Sequence, residues 1–120
     1  EYYLESRGIK DVVTLYPPQD DMNQWLENID ILLHPGQKEA FCYAIGEAMT
    51  KGIPVVINDF YGSKEIWPKQ LLYQTHDQAV DFISARAGTK PDQSWYRKYT
   101  QDNYSLERQL KETDEYLGIL

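Results

Sequence analysis

Residues 29–57 read IDILLHPGQKEAFCYAIGEAMTKGIPVVI, and this stretch decides the fold. Ile31, Leu32 and Leu33 form a short continuous apolar run, closed by His34-Pro35-Gly36. Such a run predicts a strand buried on both faces of a parallel sheet. Phe41, Ala44, Ile45, Ala48 and Met49 then recur at i, i+3, i+4, i+7 and i+8, which places one apolar stripe along a helix. Gly52 stops that helix, with Pro54 just beyond it. Val55, Val56 and Ile57 are β-branched and predict a second buried strand. Strand, helix and strand in this order make a right-handed parallel crossover. In open sheets of such units, ligands bind outside the carboxyl ends of the strands. The loop over residues 34–40 lies at that end and carries Glu39 just before the helix.

Working outward, residues 2–7 read as the end of a helix stopped by Gly8, and residues 12–16 as a short strand closed by Pro17-Pro18. Asp20 or Asp21 caps a second helix, whose apolar face is Met22, Trp25, Leu26 and Ile29. Beyond the central unit, a loop over residues 58–63 leads into a short helix over residues 64–67, ended by Pro68. Residues 71–73 form a brief strand. Thr75 and Gln78 fit a capping box for a helix from His76 to about Ala87, stopped by Gly88. Lys90-Pro91-Asp92 restarts the chain into a helix with Trp95, Tyr96 and Tyr99 on one buried face. Ser105 caps a last helix, with Leu106, Leu110, Thr113 and Leu117 repeating along one side. No internal repeat or low-complexity segment interrupts this order. The alternation predicts an α/β fold, a parallel sheet flanked by helices.

The 120 residues suffice for one domain, residues 1–120, with residues 91–120 as a C-terminal helical tail. The net charge of −7 argues against nucleic acid as a partner and against nonspecific binding to anionic lipid. The single cysteine rules out an internal disulfide and suits a reducing compartment, so a cytoplasmic location is expected. No apolar run approaches the roughly twenty residues of a membrane span. The chain opens without an initiating Met and inside a helix, which reads as a fragment of something longer.

A resemblance emerges from Glu39-Ala40-Phe41-Cys42-Tyr43, Gly46-Glu47-Ala48-Met49, Gly52-Ile53-Pro54-Val55-Val56 and Gly62-Ser63-Lys64-Glu65. Together these resemble the donor-binding core of retaining GT-B glycosyltransferases of family four, the glycosyl transferases group 1. That pattern has a Glu, seven residues and a second Glu, which Glu39 and Glu47 reproduce. It continues with Glu-Ala-Met, a Gly-x-Pro-Val-Val strand and a Gly-x-x-Glu. Cys42 departs from it, standing where the family usually has Gly. The resemblance implies a Rossmann-like, partial GT-B C-terminal domain, cut short at its N-terminal side. The acceptor-binding domain and an Arg–Lys clamp for the donor's diphosphate would lie outside this chain. The parent would move a sugar from a nucleotide donor, UDP- or GDP-linked, to a glycan, lipid or small-molecule acceptor with retention. It would use no further cofactor and no metal, and it could dock on a membrane through its other domain. The fragment alone would be inactive.

The chemistry such a donor requires can be read onto these residues. A carboxylate suits a vicinal diol, because it accepts two hydrogen bonds at once. The resemblance implies that Glu47 accepts from the ribose and that Glu39, the catalytic candidate, holds hydroxyls of the transferred sugar. Phe41, Cys42, Tyr43 and Ala44 complete the donor site, with amides at the helix start open to phosphate or sugar oxygens. Simpler readings stand beside these. Glu39 suits a helix N-terminus for dipole reasons alone, and Glu47 could pair with Lys51 four residues on. Cys42 reads as a small packed residue before a nucleophile. His34 either lines the pocket mouth or merely ends a strand. His76 is an exposed residue in a first turn. Glu65 either reaches a substrate hydroxyl or supports a short helix. The alternative for the whole chain is a non-catalytic α/β nucleotide-binding or protein-interaction domain. A receiver-like domain fits less well, because Asp20-Asp21 has no second acidic pair and lysine to match.

Overall fold

A computed structural model describes residues 2–89 and 92–118. Ten helices and strands follow one another: α1 (Tyr2–Ser6), α2 (Met22–Leu26), β1 (Leu32–His34), α3 (Tyr43–Thr50), β2 (Val55–Asn58), α4 (Ser63–Ile66), β3 (Leu72–Tyr73), α5 (His76–Arg86), α6 (Gln93–Tyr104) and α7 (Leu106–Leu117). Short 3₁₀ turns lie at Lys10–Val12 and Lys69–Leu71. The strands form one parallel sheet in the order β1-β2-β3. Leu32, Leu33 and His34 face Val55, Val56 and Ile57, and Asn58 faces Tyr73. The expected Rossmann-like α/β architecture is therefore present. Among the described residues, no helix is long and apolar enough to cross a membrane.

Alternation along β2 splits the core between the two faces of the sheet. Val55 and Ile57 pack with Leu26, Ile45, Met49, Trp67 and Tyr96 on one face, beneath α2, α3 and α6. Val56 packs with Tyr73, Ala79, Phe82 and Ile83 on the other, beneath α5. Val55, Val56 and Ile57 are all fully buried. Burying such a side chain contributes about 1.5–3 kcal/mol, so β2 is the principal apolar anchor of the sheet.

Two expectations are corrected. Residues 12–16 do not form a strand: a 3₁₀ turn ends at Val12 and the next residues run as unpaired chain. Val12, Leu15 and Tyr16 are β-formers locally, but no neighbouring strand offers ladder partners, and Val12 is 81% exposed. Likewise β1 is not buried on both faces, since Leu33 is 44% exposed. Within the described residues β1 pairs with β2 alone, so it is an edge strand and one of its faces is thinly covered.

The caps follow their local chemistry. Asp21 accepts from the Gln24 amide, Thr75 from Gln78, Asp92 from Ser94 and Ser105 from Arg108. The capping box at Thr75 is altered, because the Gln78 side chain accepts from the Gln74 amide at 2.8 Å. Lys90 and Pro91 of the expected restart lie outside the described residues. Of the three aromatics expected on one face of α6, Tyr96 is buried, while Trp95 and Tyr99 are half-buried and packed against the same core. The leucines of α7 stay exposed.

The end of α3 is a tight turn packed against α6. Gly52 has φ +81°, and the amides of Gly52 and Ile53 return to Met49 O and Ala48 O at 2.9 Å. A β-carbon there would lie 2.8 Å from Gln93 Cβ and 3.0 Å from Gln93 O, so α6 leaves no room for a side chain. Gly52→Ala should therefore lower unfolding stability by about 2 kcal/mol or more, summing left-handed strain and the clash. Denaturant unfolding of the variant checks this.

Candidate functional site

The site grows from the carboxyl end of β1. His34 ends that strand, with Phe60 edge-on to its ring at 6.2 Å. Its Nε2 lies 3.3 Å from Glu39 Oε1, so the loop folds back and returns the carboxylate to the strand end. Gly36 permits this fold. A β-carbon there would meet His34 Cε1 at 2.5 Å and Glu39 Oε1 at 2.9 Å. Asn58, at the carboxyl end of β2, donates from Nδ2 to Gly36 O at 3.0 Å and ties the loop to the neighbouring strand.

Cys42 forms the N-cap of α3 with φ +59°, the single non-glycine residue with positive φ among those described. This supplies a physical reason for glycine at this place in the pattern that the chain resembles. The left-handed region costs an L-residue roughly 1–2 kcal/mol. The Cys42 side chain makes no capping hydrogen bond and packs partly against the core. The first amide to close onto the helix start is that of Ile45, to Cys42 O at 3.1 Å. The preceding amides of Cys42, Tyr43 and Ala44 find no acceptor among the described residues and are free to meet an anion or a hydroxyl.

Phe41 precedes the cap, and its ring turns inward. It packs against Trp67 at 5.0 Å, Tyr104 at 4.9 Å and Tyr43 at 5.5 Å. Gly46 makes room, because a β-carbon there would lie 3.3 Å from the Phe41 ring. The hydroxyls of Tyr99 and Tyr104 both donate to Ile66 O, fixing α6 to the end of α4. Burial pushes the Tyr104 phenol up, and the neighbouring Tyr99 adds to this, so Tyr104 stays a neutral donor.

Glu47 borders a cleft of about 850 Å³ between α2, α3, α6 and the start of α7. Phe41, Tyr43, Lys51, Arg97 and Tyr104 share its walls. The local pairing of Glu47 with Lys51 does not form. Lys51 reaches Glu27 instead, at 3.3 Å, and Arg97 donates to the Lys51 carbonyl at 3.0 Å. The Glu47 carboxylate keeps no ion pair or hydrogen bond among the described residues. The fold thus divides the candidates. Phe41, Tyr43 and Glu47 meet at the cleft, whereas Glu39 and Cys42 meet His34 at the strand end. The donor atoms of His34, Glu39 and Cys42 all lie within 4.8 Å of one another, a grouping that spacing along the chain does not reveal.

The Gly62-Ser63-Lys64-Glu65 segment is organised by a residue that sequence reasoning passed over. Asp59 accepts from Ser63 Oγ at 2.8 Å, Gln74 Nε2 at 2.8 Å and Lys64 Nζ at 2.7 Å. Its amide also donates to Tyr73 O, so Asp59 joins the carboxyl ends of β2 and β3. Glu65 is exposed in the first turn of α4, and His76 is exposed at the start of α5. Asn58 and Asp59 were findable, since they follow a buried strand at its ligand-binding end. Gly36 and Arg97 carry no such local signal.

Hydrogen bonds from Gln74, then Lys64 and Ser63, hold the Asp59 carboxyl down to about 2, against an ordinary value of 3.8. A depressed carboxylate stabilises the fold above its unfolded value, and that contribution disappears as pH falls from about 4 to about 2. Asp59→Asn should lower stability by about 1–2 kcal/mol at neutral pH. The gap to the parent should close over that acid window, as read from denaturant unfolding at a series of pH values.

The sequence profile of the family described as "Glycosyl transferases group 1" matches residues 1–71. The GDP-mannose-dependent alpha-mannosyltransferase of Mycolicibacterium smegmatis (strain ATCC 700084 / mc(2)155) is 38% identical over 39 residues, which cover 32% of this chain and 10% of that protein. Protein CapJ of Staphylococcus aureus is 30% identical over 56 residues, 47% of this chain and 14% of its own length. No solved structure matches. With its profile covering more than half of the residues, this chain belongs to the glycosyl transferases group 1 family.

Proposed function

We propose that this chain is the donor-binding half of a retaining GT-B glycosyltransferase that uses a nucleotide-linked hexose. The observation that carries this is the setting of α3. Glu39 precedes its first turn, three free amides open it, and Glu47 follows on the same helix with its carboxylate unengaged beside a cleft. In this reading Glu47 accepts from the ribose diol and the amides of Cys42, Tyr43 and Ala44 face the diphosphate. Glu39, steadied by His34, holds hydroxyls of the transferred sugar near the reacting carbon. Lys51 and Arg97 give the cleft local positive charge toward an anionic donor.

In the transfer itself, the bond from the anomeric carbon to the diphosphate oxygen breaks and its electron pair leaves with the diphosphate. The acceptor hydroxyl attacks the same face of the oxocarbenium-like centre and gives its proton to the leaving oxygen. The chain's contribution is orientation and charge stabilisation around those steps. The acceptor side and further diphosphate contacts would come from outside these residues.

The test uses the full-length protein with UDP- and GDP-sugars, GDP-mannose included because of the name of the mycobacterial relative. Glu47→Gln should raise the donor KM about tenfold, the loss of roughly one charge-assisted hydrogen bond. Glu39→Gln should lower kcat by about 100-fold or more with a smaller change in KM. Product configuration, read by NMR, should match that of the donor. Inversion, or both variants acting like the parent, overturns the assignment. Failure of the full-length protein to bind any nucleotide would favour a non-catalytic interaction domain.

A further inference from the structure

We infer that His34, Glu39 and Cys42 form a binding site for a thiophilic divalent cation of the zinc type, overlapping the position proposed for the transferred sugar. The site stands on geometry alone; the overlap rests on the proposed role of Glu39. The three side chains come from the end of β1, the loop after it and the N-cap of α3, and their nitrogen, oxygen and sulfur donors all lie within 4.8 Å of one another.

The cluster is close to a metal-ligand arrangement. Around a tetrahedral zinc with bonds of about 2.0–2.3 Å, ligand atoms sit roughly 3.3–3.6 Å apart. The His34 Nε2 to Glu39 Oε1 separation, 3.3 Å, already has that value. The sulfur has to close by about 1.2–1.5 Å at most, within reach of one side-chain rotation. A set of one imidazole, one carboxylate and one thiolate favours zinc-like ions over magnesium or calcium, which take oxygen ligands. Three protein ligands leave a fourth position open to water or a substrate oxygen.

The supports are rigid. The His34 side chain is 12% exposed and held by Phe60, and Gly36 fits against both His34 and Glu39. Cys42 occupies a left-handed position that glycine would take without strain. Sulfur in place of glycine is what adds the third ligand, so the site is a property of this chain's departure from the pattern it resembles. His34 Nδ1 is buried with no partner among the described residues. A zinc-bound imidazole usually gains from such a partner by about 10- to 100-fold in affinity. That shortfall suits a reversible, regulatory site rather than a permanent structural one. On binding, the thiol releases its proton to solvent and Glu39 is drawn into coordination, away from a sugar hydroxyl.

The test titrates the full-length protein with Co²⁺ under anaerobic conditions, followed by displacement with Zn²⁺. Expected is a near-ultraviolet thiolate-to-cobalt charge-transfer band that saturates at one equivalent and vanishes with Zn²⁺. Cys42→Gly and His34→Ala should each abolish the band and weaken cobalt binding at least about tenfold, or about 1.4 kcal/mol. Circular dichroism of both variants confirms that they fold, and glycine removes backbone strain at residue 42 instead of adding it. No band in the parent, or cobalt binding by Cys42→Gly equal to the parent's, overturns the cation site and leaves the role of Glu39 intact. A second arm measures kcat and donor KM with and without Zn²⁺. A Zn²⁺-dependent fall in kcat in the parent that is absent from Cys42→Gly supports the overlap. Cobalt binding with no effect of Zn²⁺ on kcat overturns the overlap, and with it the sugar role of Glu39, while the cation site stands.

Discussion

The position of α3 is the constraint on which the rest depends. Its buried side, Ile45, Ala48 and Met49, lies on the sheet and fixes rotation about the helix axis. Its far end is fixed by the Gly52 turn, where α6 comes too close for any side chain. Arg97 closes the same junction by donating to the Lys51 carbonyl, and the Thr50 hydroxyl reaches Thr100 at 3.4 Å. The helix can therefore neither slide nor roll without breaking apolar and polar contacts together. This matters because its first turn carries the free amides and Glu47 stands one turn further on. Those groups have a defined direction only as long as the helix is held at its opposite end.

The loop before α3 is organised by close approach rather than by a glycine-rich phosphate cradle. Gly36 fits against the His34 ring and the Glu39 carboxylate, and Asn58 holds its carbonyl from the neighbouring strand. Phe41 then turns into the aromatic cluster over Gly46. A hydrophobic staple would place an apolar side chain at the position of Gly46. Here a ring fills that space and the chain enters the helix through a left-handed cap. The entry is thus set by two features at once, an absent side chain at Gly46 and a strained backbone at Cys42. Asp59 organises the loop after β2 in a comparable way, where a single carboxylate gathers three donors.

What was legible in the sequence is what depends on neighbours along the chain. The stripe of Ile45, Ala48 and Met49 and the β-branched run of β2 announce a crossover unit, because burial and periodicity are written within a few residues. The caps at Thr75 and Ser105 are readable for the same reason, and so is that at Asp21 as one of two adjacent candidates. Residues 12–16 misled because strand propensity is local whereas a strand needs a partner. Leu33 misled in the same way, since an apolar run says nothing about whether both sheet faces are covered. Lys51 bonds to Glu27, 24 residues away, in preference to the helical neighbour Glu47. The convergence of His34, Glu39 and Cys42 depends on a loop fold that only the backbone reveals. The glutamate pair itself was visible, but the open setting of Glu47 required the cleft, which α6 and α7 build from the far end of the chain.

The charge balance sharpens the functional reading. Nineteen acidic residues against twelve basic ones make the chain repel an anionic donor at long range. In physiological salt that repulsion is screened within roughly 8–10 Å. Contact distances obey a different scale: two unit charges 4 Å apart interact by about 4 kcal/mol at an effective dielectric of 20. In the proposed reading, capture is governed by the few groups that would touch the ligand. Under that proposal these are the amides at the start of α3, whose helix end carries about half a unit of positive charge, with Lys51 and Arg97 on the cleft wall. Lys51 is already partly neutralised by Glu27. Arg97 donates to neutral carbonyl oxygens, those of Lys51 and the Gln93 side chain, and is therefore the stronger cation of the two. An acidic domain can hold an anion in this way, provided that the helix start and Arg97 stay fixed in place, and that returns the weight of the function to the packing of α3 against α6.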